Sequence, residues 1–171
     1  MLTAVILAYD APDRPLRPDA VARGLASLVD SCVSGLVADA VLVAAPERGL
    51  GAIADEAGCV LIETPQAEAG LREALTVARQ DAILAFRAGH VVERGFTDEV
   101  SDIFAYGDRK RPLILRAAPH NFLTRLAPRL APAVGVIAPK EIVTRHASPD
   151  IARIARRLGG VDLATHARRI V

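Results

Sequence analysis

The 171-residue sequence has no tryptophan, and its two tyrosines and four phenylalanines bring aromatics to only 4%. Single-stranded nucleic acid is bound largely by stacking bases on such rings, so nucleic acid is disfavoured as a partner. Two cysteines, Cys32 and Cys59, are too few for a disulfide framework or a four-cysteine zinc site. Each lies in an apolar segment, which predicts buried free thiols in a reducing compartment. No apolar run approaches the roughly 20 residues that cross a bilayer. Residues 1–8 lack a basic leader and run straight into Tyr9 and Asp10, which predicts a cytoplasmic protein. No Gly-x-Ser-x-Gly elbow or phosphate-binding glycine loop is present, and His120, His146 and His166 lack the i, i+4 pairing of a helical metal site.

What the sequence does have is apolar content of 51% with 24% charged residues, the composition of a folded globular chain of about one domain. Short continuous apolar runs at 2–8, 39–45, 59–63 and 81–86 read as strands buried on both faces. They alternate with helical patterns: one opening at Pro18 and carrying Val21, Leu25, Leu28, Val29 and Cys32 on one face, then 48–57, 67–79 and 97–105. Further strands are expected at 112–116 and 133–138. This rhythm predicts an α/β fold of three layers, α/β/α, around a mainly parallel sheet. Ligands bind such sheets beyond the carboxyl ends of the strands, so the junctions at Tyr9-Asp10, Ala45-Pro46 and 87–90 are the places to look.

The formal net charge of +1 hides a dipole. Residues 1–100 hold 8 Lys/Arg against 15 Asp/Glu, whereas residues 101–171 hold 13 against 5. The basic half suits a diphosphate or an anionic lipid headgroup. One segment, 121–136, sets Phe122, Leu123, Leu126, Leu130, Val134 and Val136 among Arg125 and Arg129. Pro128 and Pro132 interrupt it, so packing on a sheet edge is favoured over resting on an anionic membrane.

In order along the chain, Ala4-Val-Ile-Leu-Ala-Tyr-Asp10, Val41-Leu-Val-Ala-Ala45, Ala54-Asp-Glu-Ala-Gly-Cys59 and Asp81-Ala-Ile-Leu-Ala-Phe-Arg-Ala-Gly-His90 resemble a family 2 glycosyltransferase of the GT-A nucleotide-sugar fold. The likeness continues through Val91-Val-Glu-Arg-Gly-Phe96, Ser148-Pro-Asp150 with the helix after it, and Thr165-His-Ala-Arg-Arg169. It implies one GT-A domain over 1–171, with 1–106 a nucleotide-binding half and 107–171 a basic, acceptor-side half. The implied activity is transfer of a sugar from a nucleotide-sugar to an acceptor, met at an open or membrane surface where lipid-linked acceptors lie.

The sequence departs from that pattern at the acidic pair. Where the family holds Mg²⁺ or Mn²⁺, this chain has Arg87 and Gly89, neither of which offers the oxygen ligands those cations take. The expectation is transfer without a divalent metal, Arg87 gripping the diphosphate with help from His90. A solvated Arg87, or one paired with Asp81 or Glu93, is the plainer reading. Asp10 and Tyr9 would meet the nucleotide, Glu47 would replace a second-strand acid, and Arg72 would face the diphosphate. Asp10 could instead turn the chain, and Arg72 could pair with Glu68. The resemblance makes Asp150 the general base, although Ser148-Pro149-Asp150 also reads as a helix start. The alternative to an enzyme is a descendant without catalysis that serves as a binding or regulatory module.

Overall fold

The computed structural model describes residues 1–10, 15–119 and 122–170. His120 and Asn121, named above, therefore lie outside the described residues. One eight-stranded sheet forms the middle layer. Its strands are β1 (Leu2–Ala8), β2 (Val37–Ala44), β3 (Val60–Glu63), β4 (Ala82–Arg87), β5 (His90–Val92), β6 (Leu113–Ala117), β7 (Ala133–Pro139) and β8 (Val161–Arg169), in the spatial order β3-β2-β1-β4-β7-β6-β8-β5. Four of its seven ladders are parallel, among them the three that join β3, β2, β1 and β4. The antiparallel ladders join β7 to β4 and β6, and β5 to β8.

The strands alternate their side chains between two cores, as a period of two requires. Ile6, Leu84 and Phe86 pack under α1 (Pro18–Ala26), α3 (Gly51–Glu56) and α5 (Phe96–Tyr106) through Val21, Leu25, Ala54, Phe96 and Val100. On the other face, Val5, Leu7, Ile83 and Ala85 meet α4 (Ala67–Val77), α7 (Lys140–Arg145) and α8 (Ile151–Leu158) through Leu71, Leu75, Val143, Ile151 and Ile154. The continuous apolar runs are thus explained by helices on both sides of the sheet.

Three expectations are corrected. The helical pattern after Pro18 is not one helix: it breaks after Ala26 and resumes as the short α2 (Val29–Val33). The break turns Ser31 inward, where its hydroxyl lies 2.8 Å from Thr97 Oγ1, and leaves Val29 and Cys32 exposed. Cys32 is accordingly not a buried thiol. Of the segment 121–136, Val134 and Val136 are buried in β7, but Phe122, Leu126 and Leu130 do not pack on the sheet edge. The stretch before β7 folds into α6 (Phe122–Leu126) and a 3₁₀ turn (Pro128–Leu130), leaving these three at 73%, 70% and 66% exposure. β5 and β8 are additional strands. Among the described residues no helix is long and apolar enough to cross a membrane.

Candidate functional site

β1 has β2 on one side and β4 on the other, so the strand order reverses between β1 and β4. A crevice forms at such a reversal because the connections leave in opposite directions. Here the separation is sharpened at the end of β4. Ala88 N–H still donates to the Leu7 carbonyl at 3.0 Å, whereas the Gly89 carbonyl accepts from Ile170 N–H at 2.9 Å. The chain thus leaves the β1 ladder and joins β8 within one residue. Gly89 makes that turn at φ +80°, a conformation that favours glycine.

The opening between the two ladders is a cavity of about 570 Å³. Its apolar wall includes Leu16, Ala88 and Val134, and its rim carries Arg17, Arg87, Arg168 and Arg169 beside Tyr9 and His90. Among the described residues one carboxylate, Asp19, shares the lining, and it is held by Arg17 Nε at 2.9 Å. Arg168 reaches Glu93 at 2.8 Å. Glu93 is therefore engaged by Arg168, and Asp81 precedes the opposite end of β4. Arg87 has no carboxylate partner among the described residues.

His90 is only 7% exposed, and its Nδ1 is sealed from solvent with no hydrogen-bond partner among the described residues. His90 is among the residues that line the cavity. Burial pulls the imidazole pKa below the ordinary histidine value, and the charges of Arg87 and Arg169 pull the same way against the carbonyls of Ala88 and Arg87. The ring is therefore uncharged at neutral pH and can accept a hydrogen bond. Its position depends on Gly24 of α1, where a Cβ would stand 2.9 Å from the His90 carbonyl oxygen.

The other residues singled out in the sequence are dispersed. Tyr9 lines the cavity with its ring, while its hydroxyl donates to the Thr64 carbonyl at 2.8 Å. Burial raises its pKa. Asp10 is outside the lining: it accepts from Leu16 N–H at 2.6 Å and pairs with Arg48, which together hold its carboxyl below the usual range. It fastens the loop that carries Leu16 and Arg17. Glu47 is exposed in a turn at φ 64°. Arg72 pairs with Glu68 at 3.1 Å on α4, on the opposite face of the sheet. Asp150 stands at the N-terminus of α8 on that same face, where its Oδ1 accepts from Ala152 N–H at 3.0 Å. The structure thus gathers Tyr9, Arg87 and His90 but not Asp10, Glu47, Arg72 or Asp150.

Arg17, Arg168 and Arg169 escaped the sequence reading as site residues. The signal for Arg168 and Arg169 was the basic second half and the adjacent arginines near its end, whereas Arg17 lies in the acidic half and had none. Among the described residues a divalent cation does not fit this lining, because four guanidinium groups surround the cavity and the one carboxylate described there is already paired. Among the described residues no three His, Cys, Asp or Glu side chains converge as a metal site.

No protein-family model matches the sequence, and no curated protein matches it significantly. Solved structures do match. Glucosyl-3-phosphoglycerate synthase from Mycobacterium tuberculosis, in complex with Mn²⁺, UDP and glucosyl-3-phosphoglycerate, aligns with TM-score 0.69 at 13% identity over 99% of this chain and 72% of that one. The same enzyme with Mn²⁺ and UDP-glucose gives 0.63 at 15% identity, over 95% and 68%. A mycobacterial protein of unstated activity gives 0.63 at 16%, over 99% and 64%. At such identities the likeness speaks for the fold, and the fold of this chain is that of the GT-A glycosyltransferases.

Proposed function

We propose that the cavity at the ends of β1 and β4 binds a nucleotide-sugar and that the protein transfers the sugar to an acceptor without a divalent cation. The observation that carries this reading is the lining itself, arginines and one uncharged histidine at the strand-order reversal of a GT-A sheet. In sugar transfer an acceptor hydroxyl attacks the anomeric carbon, and the bond to the diphosphate breaks with its electron pair moving onto the phosphate oxygen. Negative charge grows on the diphosphate, and a guanidinium fork beside it stabilises that charge most at the transition state. Arg87, fixed at the end of a central strand and free of a carboxylate partner among the described residues, serves that role, with Arg169 alongside. His90 accepts a hydrogen bond from a sugar or ribose hydroxyl. Asp150 is the proposed base by resemblance only.

The exposed Phe122, Leu126 and Leu130 mark the side on which a lipid-linked acceptor or an anionic bilayer would be met. Flotation with anionic vesicles checks that part, and no binding removes it. The second reading, a binding module without transfer, is favoured by one observation: Asp150 caps a helix and does not line the cavity.

A thermal-shift series with UDP-, GDP-, dTDP- and CDP-sugars, each with and without Mn²⁺, tests the proposal. A ligand selective for the native state raises the melting temperature with concentration. The expected result is a metal-independent rise with one nucleotide class, lost in Arg87→Ala. Absence of a rise with every donor refutes donor binding and leaves the binding module.

A further inference from the structure

On the α8 side of the sheet, a second hollow of about 720 Å³ opens beside α8, β6 and β8, with Pro132 the one residue that its lining shares with the first cavity. Among the described residues Arg111, Arg116, Arg129 and Arg156 line it with a single carboxylate, Asp162. Asp162 accepts from Arg116 Nε at 2.7 Å and faces Arg129 Nε at 3.6 Å. Arg116 is mostly buried and gives Nη1 to the Ala131 carbonyl at 2.8 Å, so it is a fixed part of the wall. Arg111 and Arg156 are exposed and have no carboxylate partner among the described residues; Arg156 makes one long contact to the Ala152 carbonyl at 3.4 Å. Four guanidinium groups against one carboxylate leave three positive charges in excess. A concave wall of one sign concentrates the field on whatever enters. The C-terminal end of α8 opposes this with only about half a negative charge.

We infer that this hollow is a second anion site, taking a phosphate-bearing ligand through Arg111, Arg116 and Arg156. Guanidinium forks match phosphate oxygens in pairs, and the hollow has room for a diphosphate or a phosphorylated small molecule. The phosphate can belong to a free metabolite or to a lipid headgroup, the exposed Leu130 on its lining suiting the second.

Titration with inorganic pyrophosphate, followed by amide NMR, tests the site on wild type and on the double variant Arg111→Gln, Arg156→Gln. Both side chains are exposed and carry no ion pair with a described residue, so the variant should fold. The amides of Gly159 and Gly160 report this hollow, and that of Gly89 reports the first cavity. The expected result is that pyrophosphate moves Gly159 and Gly160, and that the double variant weakens this binding at least tenfold while the Gly89 response stays. In a parallel arm, phosphatidylglycerol vesicles are compared with phosphatidylcholine vesicles by flotation. Flotation that needs both arginines assigns the phosphate to a headgroup, and pyrophosphate binding without flotation assigns it to a free metabolite. Gly159 and Gly160 shifts that survive the double variant overturn the inference, as does their absence together with flotation that is absent or indifferent to the two arginines.

Discussion

Replacing Gly24 by alanine tests whether α1 is pressed against the backbone that presents His90. In an ordinary helix interior the change is favourable by about 0.5–1 kcal/mol, because glycine loses more conformational freedom on folding. Here the added Cβ would lie 2.9 Å from the His90 carbonyl oxygen, and the obstacle is strand backbone with no rotamer through which to escape. Overpacking of this kind costs about 1–3 kcal/mol. The balance is a net loss of up to about 2.5 kcal/mol, and for a chain of this size each kcal/mol moves the midpoint by roughly 2–4 °C. Calorimetry should therefore show Gly24→Ala melting no higher than wild type and up to roughly 10 °C lower, with β5 and the cavity amides displaced in the NMR spectrum. The mirror change Ala22→Gly, on a half-buried position of the same helix, supplies the scale of the propensity effect. A Gly24→Ala protein that melts higher than wild type, by the amount helix propensity alone predicts, would refute the close packing of α1 on His90.

Other consequences follow from single contacts. Glu99 of α5 accepts from Ala164 N–H at 2.6 Å, Thr165 N–H at 2.9 Å and Thr165 Oγ1 at 2.7 Å, so Glu99→Ala should cost about 1–2 kcal/mol in urea denaturation and loosen β8. Asp150→Asn keeps a good helix cap and should melt within about 0.5 kcal/mol of wild type. Transfer activity that disappears in that variant makes Asp150 the base, and activity that persists leaves it a cap. His90 has a folded pKa below the unfolded value of 6.5, so the unfolded chain binds its proton first as pH falls. Stability from the uncharged ring is complete above pH 6.5 and is lost as pH drops below that value toward the folded pKa. His90→Gln should remove this part of the pH dependence between pH 7.5 and 5.

Local chemistry made the first half of the sheet readable. β1, β2 and β4 are continuous apolar runs because helices cover both faces, and a globular chain has few other places to bury such a run. That Arg87 and His90 line the cavity was legible because they stand at and just past the end of a central strand. β5 was not, since its three residues extend an already apolar junction and become a strand only by pairing with β8. β8 carries Val161, Leu163, Thr165 and Ala167 in alternation, a period-two signal masked by its polar outer residues and by the helix before it. Arg168 and Arg169 reach the cavity through that non-local ladder, which no spacing within the segment encodes. The exposed Cys32 and the apolar residues of α6 show the same limit: apolar context along the chain does not say where a helix will break or which way it will turn.

The insertion of β8 between β6 and β5 governs when the arginine-lined cavity can exist during synthesis. Among the described residues β5 has no other strand partner, so the turn at Gly89, whose carbonyl accepts from Ile170 N–H, is not fixed until Ile170 has been made. At translation rates of roughly 5–20 residues per second, the interval between positions 90 and 170 lasts about 4–16 s. During it, the β3-β2-β1-β4 ladder can already be paired while the arginine cavity is missing one wall. A nascent chain paused before β8 should therefore hold a protected parallel sheet and bind no nucleotide.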